Sequence, residues 1–160
     1  MSNSSIVRPI AIATLVSGTL DIAFAMILTV AFGRQIPKML RYVASGPLPA
    51  ATEMGAGGAV LGLLVHFILM AMMATIFMLF VRARPTLLDT PWRTGLAYGV
   101  ITYFAMNWLV VPLRFETPLP PKTLSIATQL FAHIALVGIP FAMIAVRMLR
   151  PAFAADRPTI

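Results

Sequence analysis

Four polar side chains lie inside long apolar stretches of the sequence, where ionisable and hydrogen-bonding groups are rare. They are Asp21, His66, Asn107 and His133. A carboxylate and two imidazoles are groups that can exchange protons near neutral pH. Because an ionisable side chain at membrane depth costs about 2.5 kcal/mol or more, such residues face other helices and are candidate functional positions.

The composition identifies the class of protein that carries these residues. Of 160 residues, 59% are hydrophobic and 11% are charged, and the mean hydropathy is +0.90. Soluble domains average about 45–50% apolar and about 25% charged residues. We therefore predict an integral membrane protein in contact with the lipid bilayer. The formal net charge of +7 comes from Lys and Arg between and beyond the apolar runs, which predicts membrane flanks and no nucleic-acid partner.

Four apolar runs are long enough to cross a hydrocarbon core of about 30 Å, which takes about 20 helical residues. They cover residues 10–32, 58–81, 95–111 and 124–148. Since a backbone inside lipid must satisfy its own hydrogen bonds, we predict an all-α protein, a four-transmembrane-helix bundle that forms a single domain. The sequence at residues 23–25 resembles a signal-peptide cleavage site, but the apolar run continues past it and favours a retained span.

The first connection contains an amphipathic pattern. Apolar residues at positions 36, 39, 40, 43 and 44 share one helical face, and Lys38 and Arg41 lie opposite. This predicts a short interfacial helix over about residues 36–46 that lies on the membrane surface.

Prolines give two further predictions. Pro112 and three later prolines indicate that residues 112–123 form an extended loop. Pro140 predicts an interruption of the fourth span just past His133, because proline lacks a backbone donor.

The four polar residues fall at overlapping depths, within about two helical turns of one another. Further small or polar residues share their helical faces, mostly at four-residue spacing. These neighbours are Gly18 with Asp21; Gly58 and Gly62 with His66; Gly95, Gly99 and Tyr103 with Asn107; and Gln129 with His133. The two GxxxG pairs are typical of closely packed membrane helices. We predict one buried polar layer across the four spans, with these glycines at helix contacts.

Three interpretations of the polar layer stay open. As structural glue, its interhelical hydrogen bonds would each contribute about 0.6–2 kcal/mol in a structural or accessory protein. As a transport component, the same layer would bind protons or a small solute. As a haem protein, His66 and His133 would be the axial ligands of a b-type haem.

The sequence carries none of the common catalytic signatures. There is no His-Glu-x-x-His, no G-x-S-x-G, no P-loop and no dinucleotide fingerprint. With no cysteine, thiolate chemistry and cysteine metal sites are excluded. We predict that the protein is not an enzyme and that, the haem alternative aside, it has no cofactor and no metal.

The distribution of basic residues predicts the orientation. Seven Lys and Arg lie on the side of the termini and five on the other side, which favours both termini in the cytoplasm. Because one bundle of four helices encloses little volume, we expect a homo-oligomer or an accessory subunit of a larger membrane complex.

A Leu-x-x-His-x-x-Leu motif occurs twice, over residues 63–69 and 130–136. Each copy follows a span with a polar residue, so the chain is interpreted as two copies of a two-helix unit, as in some transporters. The alternative is that Leu-rich helices share this spacing by composition alone.

Longer motifs run through most of the chain. They are S-G-T-L-D-I from residue 17, L-G-L-L-V-H-F from residue 61, Y-G-x-x-x-Y-x-x-M-N-x-x-V-x-P-L from residue 98 and H-x-x-x-x-G-x-P from residue 133. On these motifs the chain resembles a family of small bacterial four-span membrane proteins. The resemblance implies a helical fold in the bacterial inner membrane and includes all four polar residues in the family pattern, but it implies no activity. Pro47 departs from the pattern and puts only the first loop in doubt.

Overall fold

The computed structural model describes residues 6–155, which contain helices and no strand. Four helices are long and apolar enough to cross a membrane: α1 (Val7–Ala31), α3 (Gly55–Ala83), α4 (Pro91–Phe115) and α5, apolar over Thr123–Pro151. This confirms the prediction of an all-helical protein with four helices of that length. Arg157, one of the seven basic residues on the side of the termini, lies outside the described residues.

Each long helix extends beyond its predicted apolar run by a few residues on at least one side. The difference is largest for α5, which continues to Ala155 instead of residue 148. At its start, α4 begins at Pro91 instead of residue 95. Proline fits the first turn of a helix because no backbone donor is needed there. At the other end of α1, Gly33 adopts a left-handed φ of 66° just after the helix, a conformation that favours glycine and stops the helix.

A short helix, α2 (Ile36–Ala44), follows α1. It ends before the predicted residue 46, where the Ser45 hydroxyl donates to the Tyr42 carbonyl at 2.7 Å. Leu40 and Ala44 are its buried residues. A 3₁₀ turn, Pro49–Glu53, then leads into α3.

Arg114, near the end of α4, ties α4 to the end of α2. Its guanidinium donates to the Ser45 carbonyl at 2.8 Å and to the Gly46 carbonyl at 2.5 Å. The neighbouring Phe115 ring stacks on Tyr42 with ring centroids 4.4 Å apart. The segment after α1 is therefore attached to a second membrane-length helix.

Two π-helical segments interrupt α4 and α5, at Ala105–Val110 and Ala132–Gly138. Each ends two residues before a proline, Pro112 in α4 and Pro140 in α5. A proline ring clashes with the carbonyl four residues earlier, and a wider i→i+5 turn moves that carbonyl away. The interruption predicted at Pro140 therefore takes the form of a π segment that contains His133.

The predicted loop over residues 112–123 is wrong in its first part. Pro112 lies inside α4, which continues to Phe115. The helix continues through this proline because the wider turns of the preceding π segment move the earlier carbonyl away from the proline ring. The connection proper is limited to residues 116–122.

The apolar core lies in the half of the protein where α1 begins and α3 and α5 end. Its larger members are Met70, Phe77, Met78, Val81, Leu88, Phe141 and Leu149. Along the helices, His66 and His133 precede these core residues by about one turn or more. The polar residues thus lie beside the edge of the core. Large apolar side chains such as Ile27, Val60 and Ile101 are exposed on the outer faces of the helices.

Candidate functional site

His66 points from α3 towards α1 and is 8% exposed. Its Nε2 lies 2.9 Å from the Gly18 carbonyl oxygen. A carbonyl oxygen only accepts hydrogen bonds, so Nε2 is the donor and carries the hydrogen. This contact defines the tautomer of the neutral ring and leaves the lone pair on Nδ1.

Asp21 faces that second nitrogen. Its Oδ2 lies 4.0 Å from His66 Nδ1. If Asp21 were a carboxylate and His66 neutral, two acceptors would face each other without a hydrogen between them. The arrangement is complementary once one proton is added, either on the Asp21 carboxyl or on His66 Nδ1. The hydrogen-bonding groups of the Asp21–His66 pair therefore match when the pair carries one added proton.

Gly18 allows α1 and α3 to approach closely at this pair. A Cβ atom on Gly18 would lie 2.6 Å from Cε1 of the Phe67 ring. The Gly18 carbonyl has two lone pairs, so it can accept the helical bond and the His66 donor together. The absence of a side chain at residue 18 thus permits the bond that orients the imidazole.

Two hydroxyls extend the same face of α1. Ser17 Oγ and Thr14 Oγ1 are buried, and neither has a hydrogen-bond partner within the described part of the chain. Along the helix axis they lie about 6 Å and 10.5 Å from Asp21. Ser17 is fully buried, with 0% of its surface exposed. They add unused hydrogen-bonding capacity on the helical face that carries Asp21.

The lack of a hydrogen-bond partner at Ser17 and Thr14 differs from what other helical threonines of this protein show. Four of them donate to the carbonyl four residues earlier, at 2.7–3.0 Å; they are Thr29, Thr75, Thr102 and Thr128. Back-bonding of this kind is the common way for a hydroxyl to be satisfied inside a membrane helix. The Ser17 and Thr14 hydroxyls remain available for another partner.

His133 belongs to the π segment of α5 and is 7% exposed. Its Nδ1 lies 3.2 Å from Thr102 Oγ1. The Thr102 hydroxyl has one hydrogen, which is directed to the backbone carbonyls of Tyr98 and Gly99 at 3.0 and 3.1 Å. Thr102 therefore accepts from His133, and Nδ1 carries the hydrogen.

Asn107 completes the surroundings of His133 from the π segment of α4. Its side-chain nitrogen lies 3.3 Å from the Tyr103 carbonyl and 3.5 Å from His133 Nε2. An amide nitrogen has two hydrogens, one for each of these acceptors. His133 is thus a neutral imidazole with both nitrogens occupied, and the Asn107–His133 pair needs no additional proton.

Tyr103 packs beside this second pair. It is buried, its ring centroid lies 6.2 Å from that of His133, and its hydroxyl accepts from Trp108 Nε1 at 3.1 Å. Gln129 is half-buried, and its side chain forms no hydrogen bond with any residue in 6–155. The structure therefore places Tyr103 next to the Asn107–His133 pair but does not connect Gln129 to either pair.

The four predicted residues form two pairs instead of one connected layer. Asp21 and His66 join α1 to α3, and Asn107 and His133 join α4 to α5. No hydrogen bond or ion pair joins one pair to the other among residues 6–155.

The predicted glycine pairs have different neighbours. A Cβ on Gly99 would lie 2.5 Å from the His133 carbonyl oxygen, and one on Gly95 would lie 2.8 Å from the Gly138 carbonyl oxygen. This pair sets α4 against the π segment of α5. Gly58 and Gly62 instead face the carbonyls of Ala51 and Leu40. The Gly58/Gly62 pair therefore accommodates α2 and the turn that follows it, not another membrane-length helix.

Thr102 and the Gly18 carbonyl are site groups that the sequence analysis missed. Thr102 lies five residues before Asn107, outside the four-residue stripe that selected Tyr103. His133 contacts both Thr102 and Asn107, which are five residues apart. This spacing matches the i→i+5 turns of a π helix. Pro112 is the signal that could have indicated such a segment.

No family model, no curated protein and no solved structure matches the chain. The resemblance to small bacterial four-span proteins stays a prediction. Within residues 6–155, no three His, Asp or Glu side chains are grouped closely enough to hold a metal ion.

Proposed function

We propose that this chain is a proton-handling membrane protein in which the Asp21–His66 pair binds and releases one proton inside the bundle. The observation that supports this most directly is the 2.9 Å bond from His66 Nε2 to the Gly18 carbonyl. It commits one ring nitrogen to donation and turns the other towards a carboxyl group. Carboxyl and imidazole groups within a membrane commonly form proton relays.

The distance between His66 and Asp21 favours proton exchange over a permanent hydrogen bond between the two side chains. A direct charge-assisted bond between these atoms would measure about 2.7–2.9 Å, whereas His66 Nδ1 and Asp21 Oδ2 are 4.0 Å apart. A relative movement of α1 and α3 by roughly 1 Å would make or break the direct bond. Loading and unloading of the proton would thus be coupled to the contact between these helices.

The hydroxyls beside the pair favour the same proposal. A purely structural polar network is expected to satisfy its buried groups internally. Ser17 and Thr14 do not follow that rule, and both lie on the α1 face that carries Asp21. We propose that they provide hydrogen-bonding positions through which a proton reaches the pair from the half of the protein where α1 begins.

The Asn107–His133 pair is proposed to be structural. Thr102 and Asn107 satisfy both nitrogens of His133, which matches the glue interpretation of the sequence. Each such interhelical bond contributes about 0.6–2 kcal/mol.

The same hydrogen bonds do not favour the haem alternative. A histidine binds haem iron through the lone pair of a ring nitrogen. Nε2 of His66 donates to Gly18 and its Nδ1 faces Asp21, while both nitrogens of His133 are bonded within the chain. Our proposal therefore includes no haem, and it assigns no enzymatic activity to the chain.

We further propose a single-domain bundle in the bacterial inner membrane with both termini in the cytoplasm. In this arrangement α2 lies at the opposite interface, and the exposed apolar faces of the long helices contact lipid. The basic flanks and the exposed apolar side chains support this placement. The proposed partners are the lipid bilayer and, through the outer faces, further copies of the chain or a larger complex, with no nucleic acid.

An infrared pH titration tests the proton-holding pair. We expect a protonated-carboxyl band that is lost in Asp21→Asn, altered in His66→Gln and unchanged in His133→Gln. Asp89→Asn is the matched control, because Asp89 is an exposed carboxylate near Arg150. Identical bands in wild type and Asp21→Asn throughout the titration would contradict the proposal.

A further inference from the structure

A cavity of about 530 Å³ opens where α1 ends and α2 begins. It lies between the last turn of α1, the connecting residues and the face of α2 that carries Lys38 and Tyr42. Its size is that of cavities that bind small organic ligands. The cavity is separate from both histidine pairs, because none of their four residues lines it. Thr29, the α1 residue in its wall, lies eight residues beyond Asp21.

The cavity is lined by two cations and no carboxylate. Arg34 and Lys38 both contribute to its wall, and both are exposed. Neither forms an ion pair with any residue in 6–155. Guanidinium and ammonium groups are the usual protein ligands of phosphate, and here two of them are left without an internal counter-charge.

Neutral donors next to the cations strengthen the preference for an anion. Gln35 lines the cavity, and its side chain makes no capping bond to α2. Tyr42 also lines the cavity, and its phenol is a neutral hydrogen-bond donor whose pKa is raised by burial. The backbone amides in the first turn of α2 add further positive potential.

Apolar lining distinguishes the expected ligand from a simple inorganic anion. Met39 and Tyr42 line the same cavity as the cations. Val30, the neighbour of the lining residue Thr29 in sequence, is 60% exposed on α1. A cavity whose lining combines cations with apolar side chains, at the end of a membrane-length helix, has the chemistry of a phospholipid site.

We propose that this cavity binds the phosphate group of an anionic phospholipid, with Arg34 and Lys38 as its ligands and an acyl chain along α1. The site does not depend on the proposed proton-handling function. It would anchor the α1–α2 connection to the headgroup region.

Native mass spectrometry and thermal melting of the full chain in detergent test this site. The probes are phosphatidylglycerol, phosphatidylcholine and inorganic phosphate. We expect phosphatidylglycerol to remain bound and to raise the melting temperature. Arg34→Gln with Lys38→Gln should weaken this binding about tenfold or more, because two charge-assisted contacts are lost.

Two matched variants distinguish a built site from general charge. Arg82→Gln with Arg84→Gln removes the same charge from another exposed position and should bind phosphatidylglycerol like wild type. Arg34→Lys with Lys38→Arg keeps the charge and should retain binding. Lipid-free melting of each variant shows whether it is folded.

Three results would overturn the proposal. Equal binding by wild type and the Arg34→Gln, Lys38→Gln variant would exclude these ligands. Equal loss in the Arg82→Gln, Arg84→Gln variant would show a non-specific charge effect. Protection by inorganic phosphate as strong as that by phosphatidylglycerol would assign the site to a free phosphate instead of a lipid.

Discussion

His66 and His133 occupy the same position of a Leu-x-x-His-x-x-Leu motif, on α3 and α5, yet they hydrogen-bond through different ring nitrogens. His66 donates through Nε2 to a backbone carbonyl and turns Nδ1 to a carboxyl group. His133 donates through Nδ1 to a hydroxyl and accepts at Nε2 from an amide. The comparison shows that the group facing the second ring nitrogen is decisive. An amide donor satisfies that nitrogen directly, whereas a carboxylate does so only after a proton is added.

The neighbouring groups strengthen this contrast. Next to His66, Ser17 and Thr14 keep buried hydroxyls without partners. Next to His133, the Thr102 hydroxyl and the Asn107 amide are both engaged. The first region therefore retains capacity for exchange, and the second joins α4 to α5.

The largest expected effect is on proton movement. Asp21→Asn removes the proton-binding carboxyl while keeping its shape, so proton flux in reconstituted liposomes under an imposed pH gradient should fall to the protein-free rate. Asn107→Ala is the control from the second pair and should retain flux. If liposomes that contain the wild-type protein leak protons no faster than empty liposomes, the proposed function is contradicted.

Matched histidine substitutions should separate stability from flux. His133→Ala leaves Thr102 and Asn107 without their partner, so we expect it to lower the free energy of unfolding by at least about 1–3 kcal/mol. His66→Ala should lower stability less, because the Gly18 carbonyl keeps its helical bond, but it should abolish flux. Thermal melting and flux of both variants check this, and the reverse ranking of the two losses would contradict the assignment of roles.

Glycine substitutions compare the helix contacts at the two pairs. A Cβ on Gly99 would meet the His133 backbone, whereas one on Gly18 would meet the Phe67 ring. Backbone atoms cannot move aside as a ring can, so Gly99→Ala should cost about 1–3 kcal/mol and Gly18→Ala less. Melting temperatures that fall equally would show that the α1–α3 contact is as rigid as the α4–α5 contact.

The smallest effect on stability is expected at Ser17. Its hydroxyl has no partner to lose, so Ser17→Ala should change the free energy of unfolding by no more than about 0.5 kcal/mol while slowing proton flux. Thr102→Val, which leaves His133 Nδ1 without its acceptor, should be less stable than Ser17→Ala. A Ser17→Ala protein with unchanged flux would remove this hydroxyl from the proposed proton route.

Much of the architecture was predictable because lipid imposes strict rules. Long apolar runs require helices, which located α1, α3 and α4 to within four residues of their ends. The start of α5 was located equally well, but this helix continues to Ala155, beyond the apolar run. The cost of polar groups at membrane depth likewise identified Asp21 and His66. Their pairing was not predictable, because facing helices and the rotation of each depend on contacts along the whole interface.

The second pair shows why helical spacing alone is insufficient. The predicted faces assumed 3.6 residues per turn, but the π segments near Pro112 and Pro140 widen the turn and change which residues share a face. Thr102 was missed for this reason, and Pro112 was wrongly placed in a loop. The tautomers were also inaccessible, because they depend on whether the nearest group is a carbonyl, a hydroxyl or an amide.

Nitrogen-15 NMR of the histidine rings tests the central contrast most directly, because the chain contains only two histidines. His66→Gln and His133→Gln assign the signals. We predict that His66 carries hydrogen on Nε2 when neutral and exchanges a proton with Asp21 as pH changes, whereas His133 keeps its hydrogen on Nδ1 throughout. Two rings with the same tautomer and the same pH response would contradict the account.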